Sequence, residues 1–424
     1  MKPKEMFNRI LKNILYLLCG GVAGVLLLLL VFQLPTNKMY THVYQSLPTL
    51  EKEFTEGIVV DGYQASLTGN FTDCLMLFYS IYKNPEHSTL EQVMHMYRTE
   101  STVSDGWAPG ESLHDYCNGV VQDKELSYGR YWHGYLVLLK PLLMITNLSS
   151  IRMIMSVTQL LLVGIIIYAA TKRGKGNLAI AFLASVPFFY FVSMFASLSL
   201  SICFYIMAAA VLIVLCGHEK LKEKNRYLYF FLLVGMTTAY FDFLTYPLVT
   251  LAFPLIVVLY LDKEVWKTKV QKLFSYSIQW SVGYIGLWAL KWIFSDVLTG
   301  SSIIADAVGT VFERTGTAGG GNKFVGLFTV LARNLEVYFN WSFYILALFV
   351  IIFLAFHLIK NKCWKPDFNT IKEKMVILGI SLYPIIWYFS TQNHAEEHYM
   401  FTCKNVAIIV FAVLCAVTYD KDTK

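Results

Sequence analysis

Charge is scarce in this 424-residue chain: Asp, Glu, Lys and Arg together make up 15%, against about 25% in an average soluble protein. That scarcity excludes an intrinsically disordered polyelectrolyte. Cysteine is sparse too, with eight residues and no CxxC or Cys/His metal spacing, which excludes a disulfide scaffold and a zinc-finger-like centre. The 26 glycines and 11 prolines show no collagen-like period. The chain also lacks HExxH, a GxxxxGK[ST] phosphate loop and any visible internal repeat. What remains is apolar: hydrophobic residues are 56% and mean hydropathy is +0.50. So much apolar surface cannot hide inside one water-soluble globule, which leaves a polytopic membrane protein.

A spanning helix needs about 20 mostly apolar residues. Ten runs qualify or nearly qualify: Ile14–Leu34, Met153–Thr171, Leu178–Ala196, Leu200–Gly217, Tyr227–Phe243, Tyr246–Leu261, Phe274–Phe294, Tyr338–Lys360, Met375–Tyr388 and Val406–Tyr419. The first is too long for the apolar core of a signal peptide and ends in Gln33-Leu34-Pro35-Thr36, a poor cleavage site, so it reads as a retained anchor. Charge gives an independent test, because cytoplasmic loops collect Lys and Arg. With the N-terminus inside, the cytoplasmic segments hold 22 of the 35 basic residues, and every inside loop is basic. The net charge of +6 therefore reports orientation beside anionic headgroups, not a nucleic-acid partner. The expected fold is an all-α polytopic membrane protein with about ten transmembrane helices, both termini cytoplasmic, and a long first external loop.

The chain divides accordingly into a tail and first span (1–34), a long external loop (35–152), spans two to seven (153–294), an external Gly-rich loop (295–337) and the last three spans with a cytoplasmic tail (338–424). In the long loop, Cys74–Tyr82 opens a helix behind Thr72 as N-cap, Leu90–Arg98 offers a second, and Tyr135–Ile145 is apolar but too short to span and carries Pro141. These read as interfacial helices. Two glycosylation sequons, at Asn70 and Asn147, and a possible Cys74–Cys117 disulfide also fall outside. The second loop carries Glu313-Arg314 and Gly319-Gly320-Gly321 before Lys323, a linker or a lid whose charges close over a ligand.

Candidate chemistry concentrates on the external side. Asp61 and Asp73 are carboxylates that could take a proton from an acceptor hydroxyl or hold a phosphate-bound metal; the plainer readings are a turn residue and a helix-start charge. Arg130, Trp132 and His133 combine a bidentate anion grip with a stacking face, or form an interfacial anchor. Asp242, among aromatics at a membrane boundary, is costly unless paired, or caps a helix end. His394 and His398 share one helix face. With Glu397 they invite a zinc reading, but no third ligand is fixed; with Lys404 they suit an anion such as a lipid phosphate.

The layout of a cytoplasmic N-terminus, one span, a long acid-bearing external loop and many further spans resembles the GT-C superfamily of integral membrane glycosyltransferases. Arg130-Tyr131-Trp132-His133-Gly134 and Asn393-His394 with His398 and Lys404 are similar to segments of bacterial membrane proteins of this type. The adjacent acidic pair familiar after the first span is missing. The resemblance implies a polyprenyl-phosphate-linked sugar donor, an envelope glycan, lipid or protein acceptor, and an inverting displacement at the plasma membrane's external face. Asp61 or Asp73 would be the catalytic base. Arg130, His133, Trp132, His394, His398, Lys404, Asp242 and Arg314 would bind substrate or lipid phosphate. The resemblance fixes no cofactor and leaves a divalent metal open. A transporter or flippase, favoured by Pro187, Pro247, Pro254, Asp242 and Lys291, and a non-catalytic envelope-assembly partner are the alternatives.

Overall fold

The computed structural model describes residues 3–53, 60, 63, 66–100, 108–318, 321–360 and 368–419. The described chain is overwhelmingly α-helical. Among the described residues, five segments are long and apolar enough to cross a membrane: Pro3–Phe32, Leu148–Lys172, Leu198–Phe241, Trp341–Ile359 and Tyr399–Thr418. All ten apolar runs of the sequence fall on helical structure, with shifted ends. The first helix reaches back into the basic tail, and the second begins at Leu148, where Asn147 caps it by accepting from the Ser150 amide. The Leu198–Phe241 stretch is two helices, Leu198–Lys222 and Arg226–Phe241, separated where Lys224 and Asn225 take left-handed φ values of 51° and 55°. The run expected over Leu178–Ala196 is broken: Pro187 starts a 3-10 turn over Val186–Phe189, and Tyr190 at φ 55° separates it from Phe191–Ala196.

Helix packing depends on missing side chains at one crossing. A Cβ on Gly235 would run into the Trp280 carbonyl, and one on Gly283 into the Leu232 carbonyl. These two glycines let the Arg226–Phe241 and Trp266–Thr299 helices touch backbone to backbone, the small-residue packing that membrane helices favour. At the end expected to be cytoplasmic, buried Asp262 meets Lys272 at 2.7 Å and Lys222 at 3.2 Å. Beside it, Lys269 and Glu373, both fully buried, lie 3.6 Å apart, and the Tyr419 hydroxyl is 2.8 Å from each.

The two long segments expected outside the membrane are more structured than loops. The first holds helices Thr36–Tyr44, Leu47–Glu53, Asn70–Ile81, Thr89–His95, Ala108–Cys117 and Leu136–Leu143. The last of these is short and carries Pro141, as expected. The helix expected over Leu90–Arg98 ends early: a capping box of Ser88 and Glu91 starts it, Met96 at φ 47° stops it, and Tyr97–Glu100 pairs antiparallel with Lys124–Ser127. Thr72 is not the N-cap, since the Asn70–Ile81 helix starts at Asn70 behind Gly69. Cys74 and Cys117 are free buried thiols, which corrects the disulfide reading. Asn70 is buried, with its amide donating to the Leu50 carbonyl, so this sequon is closed in the fold. The second segment is a helix pair, Ile303–Arg314 and Lys323–Glu336, around a Gly-rich turn of which Gly319 and Gly320 lie outside the described residues.

Candidate functional site: an arginine beside two imidazoles

Five segments far apart in sequence meet around a cavity of about 310 Å³. It is lined by Phe71, Thr72 and Leu75 from the Asn70–Ile81 helix, by Tyr128 and Phe243, and by Arg314, His394, His398 and Phe401. Arg314 ends the Ile303–Arg314 helix, and its guanidinium donates from Nη1 to Nδ1 of His394. The opposite ring nitrogen of His394, Nε2, lies 2.9 Å from the Leu244 carbonyl. A carbonyl only accepts, so Nε2 carries the proton and Nδ1 offers its lone pair to the arginine. Burial and the neighbouring Arg314 hold His394 well below the ordinary imidazole value. The same causes lower His398 to about 4. Its ring lies 4.8 Å from His394 and stacks on Phe401 at 5.7 Å.

Both imidazoles are therefore neutral near pH 7, and Arg314 supplies the positive charge. Among the described residues no carboxylate comes within ion-pairing distance of it, and its Nε is buried without a hydrogen-bond partner. A half-buried guanidinium without a counter-anion carries an unmet desolvation cost, which an incoming anion would offset. Phosphate and carboxylate fit the guanidinium fork. The arginine bonded to His394 disfavours the zinc reading of His394, His398 and Glu397, because a cation would sit against a fixed positive charge. Among the described residues no group of three or more His, Cys, Asp or Glu could hold a metal.

The other expected residues that the structure describes do not line the cavity. Asp73 is fully buried. Its Oδ1 accepts from the Ser197 hydroxyl at 3.0 Å, the Ser199 amide at 2.9 Å and the Ser199 hydroxyl at 2.8 Å. Its Oδ2 accepts from the Leu198 amide at 2.8 Å and faces Arg152 at 3.8 Å. Arg152 also grips Glu53 in bidentate fashion. Asp73 thus caps the Leu198–Lys222 helix from 125 residues away, fully buried and not among the residues that line the cavity; its placement is that of an anchor. Asp61 lies outside the described residues.

Asp242 accepts from the Thr245 amide and hydroxyl, closing the turn in which Leu244 sits at φ 64°. It is a positioning residue: that turn presents the Leu244 carbonyl to His394 and the Phe243 ring to the cavity. Trp132 is fully buried and its indole donates to the Leu287 carbonyl at 2.7 Å, so it is core and not a stacking platform. His133, lowered to about 3 by burial, sits in a cage of Tyr79, Tyr128, Tyr131, Tyr135 and Phe243 rings. Its Nε2 donates to the Tyr128 carbonyl at 2.9 Å, away from the cavity. Arg130 stacks over Tyr128 at 4.6 Å and pairs with Asp306 at 3.1 Å. It steadies the Tyr128 wall and is already neutralised. Lys404 is fully buried, donates to the Met400 carbonyl at 2.7 Å and lies over Tyr190, apart from the histidine pair.

Of the expected binding residues, the structure brings Arg314, His394 and His398 together at the cavity. Sequence reasoning missed its neutral walls. Thr72, Tyr128, Phe243 and Phe401 each lie within three residues of a residue chosen for its charge, and nothing but that proximity signalled them.

A second hollow adjoins this one. A groove of about 660 Å³ runs between the Leu148–Lys172, Leu198–Lys222 and Arg226–Phe241 helices, lined almost wholly by apolar side chains from Tyr135, Leu198 and Phe241 down to Ile213 and Phe230. The Tyr135 and Phe243 rings, 4.9 Å apart, form the wall between groove and cavity. Fold and site together define a helical membrane protein with an anion-suited cavity that shares an aromatic wall with an apolar groove. No protein-family profile, curated protein or solved structure matches the chain significantly.

Proposed function

We propose that this protein is a membrane glycosyltransferase that takes its sugar from a lipid-linked phosphate on the external face. In this reading the chain spans the membrane ten times with both termini cytoplasmic. The observation that carries it is Arg314, a cation without a counter-anion in a cavity beside an apolar groove: an amphipathic phosphate has one group for each of the two hollows. The aromatic faces of Tyr128 and Phe243 suit a sugar ring beside the phosphate.

Transfer is a displacement at the anomeric carbon. The acceptor oxygen forms the new bond and gives its proton to a base, while the bond from carbon to phosphate oxygen breaks. The phosphate leaves with the electron pair, and Arg314 and an N–H of His398 stabilise that growing charge. Asp73 is committed to its helix cap, so Asp61 is the base in this proposal. The transporter alternative needs free charge within the bundle. Lys291, its best candidate, donates to the Met94 carbonyl at 2.5 Å and lies 2.9 Å from the Ser295 hydroxyl, which makes it a staple between a span and the external segment. The test is transfer of radiolabelled sugar from a polyprenyl-phosphate donor by purified protein in nanodiscs. Asp61→Asn should abolish transfer while leaving donor binding intact. Transfer that survives Asp61→Asn would remove the mechanism, and binding without any transfer to glycan, lipid or protein acceptors would remove the enzyme.

A further inference from the structure

The Ile303–Arg314 and Lys323–Glu336 helices each show three faces, where a helix on a soluble surface shows two. Ile303 and Ala307 pack inward on the first, and Gly326, Val330 and Asn334 on the second. A separate stripe of each is apolar yet exposed. On the first helix Ile304, Val308, Val311 and Phe312 recur at helical spacing, with Phe312 74% exposed; on the second Phe324, Phe328 and Leu335 do so, with Phe328 72% exposed. Polar residues occupy the third face, including Asp306 and Glu313 on one helix and Thr329, Arg333 and Glu336 on the other. Three residues connect the pair to the Trp266–Thr299 helix, and four connect it to the Trp341–Lys360 helix. The second of these is apolar and almost wholly uncovered by protein. Exposed Phe339 and Trp341 mark that junction, where aromatic residues settle at a membrane boundary.

We propose that this helix pair lies flat in the headgroup region of the leaflet at that end of the bundle, inserts its exposed apolar stripes, and so fixes the depth of Arg314. Short tethers to two apolar helices leave the stripes no route to bulk water, and the third, polar face points to it. The connection to the site is made of hydrogen bonds. Asn393 donates from Nδ2 to the Glu313 carbonyl at 2.9 Å, Gln392 from Nε2 to the Lys323 carbonyl at 2.5 Å, and Asn334 from Nδ2 to the Ala395 carbonyl at 2.9 Å. These bonds tie both helices to the turn that carries His394. Docking in the leaflet therefore sets Arg314 level with the phosphate of a lipid lying in the same leaflet. The placement stands on the helix faces alone; only the benefit to phosphate binding rests on the proposed function.

Nitroxide labels on the full chain in liposomes test it, with Cys19, Cys216 and Cys363 replaced by alanine. Labels at Val308→Cys, Phe312→Cys and Phe328→Cys should collide with oxygen and be shielded from a water-soluble nickel chelate. Labels at Glu313→Cys and Thr329→Cys should show the reverse preference. Nickel access at the first three positions would place the stripes in water, and shielding from both reagents would place them under protein; either overturns the proposal. If the labels report docking while Arg314→Gln leaves lipid-phosphate binding intact, the membrane surface stands and the functional reading falls.

Discussion

Asp73→Asn separates an anchor from a catalytic base. The wild-type carboxylate accepts from four donors and faces Arg152. Asparagine keeps the shape but replaces one oxygen with an NH2 group. If that group takes the Oδ2 place, it confronts the Leu198 amide; if it takes the Oδ1 place, it confronts the Ser199 amide and hydroxyl. Either way at least one buried donor loses its acceptor, which costs about 1–3 kcal/mol, and Arg152 loses one of its two counter-charges. Asp73→Ala strips every partner at once and should cost ~3–5 kcal/mol, the range for breaking a buried pair from one side. Thermal unfolding in detergent, with hydrogen exchange at the Leu198 and Ser199 amides, reads both. The expected order of stability is wild type, then Asn, then Ala, with those two amides losing protection in step and function falling in parallel. An Asn variant that melts like wild type, keeps both amides protected and yet loses all activity would refute the anchor assignment and restore Asp73 as the base.

Three further outcomes follow from the packing and the site. Gly235→Ala should lower the melting temperature and Gly235→Leu should prevent folding, because any Cβ there meets the Trp280 backbone; an unchanged Gly235→Leu protein would refute the close crossing. Lys269→Met should destabilise by ~3–5 kcal/mol because it strands buried Glu373, while adding Glu373→Leu should recover most of the loss; equal destabilisation by the single and double variants would contradict the pairing. The third outcome is a pH dependence. His394 and His398 are held neutral in the fold, with His398 at about 4, whereas an unfolded imidazole titrates near ~6.5. Between those values the unfolded chain binds protons that the folded chain refuses, so stability is complete above the unfolded value and declines as pH falls toward 4. Unfolding midpoints across that window should show the decline, and His398→Phe should reduce it.

Which features could be read in advance follows from the range of the interactions. The apolar helices were legible because each run declares itself within about 20 residues. The Tyr97–Glu100 and Lys124–Ser127 ladder was not, since strands of four residues show too little alternation to stand out. Arg314, His394 and His398 were each recognisable by chemistry, but their meeting joins residues 80 positions apart and has no local signature. The same limit hid the buried surroundings of Asp73 and Trp132. A carboxylate at a helix start and an indole beside a basic residue both look interfacial until their partners, 125 and 155 residues away, are seen.

The most direct measurement is the affinity of the nanodisc-embedded protein for a polyprenyl phosphate, compared between wild type, Arg314→Gln and Arg314→Lys. A hydrogen bond to a charged group contributes about 1.5–3 kcal/mol, so the glutamine variant should bind at least about tenfold more weakly. The lysine variant should fall between, because it keeps the charge and loses the planar fork. Equal affinity in all three proteins would contradict the claim that Arg314 holds the phosphate.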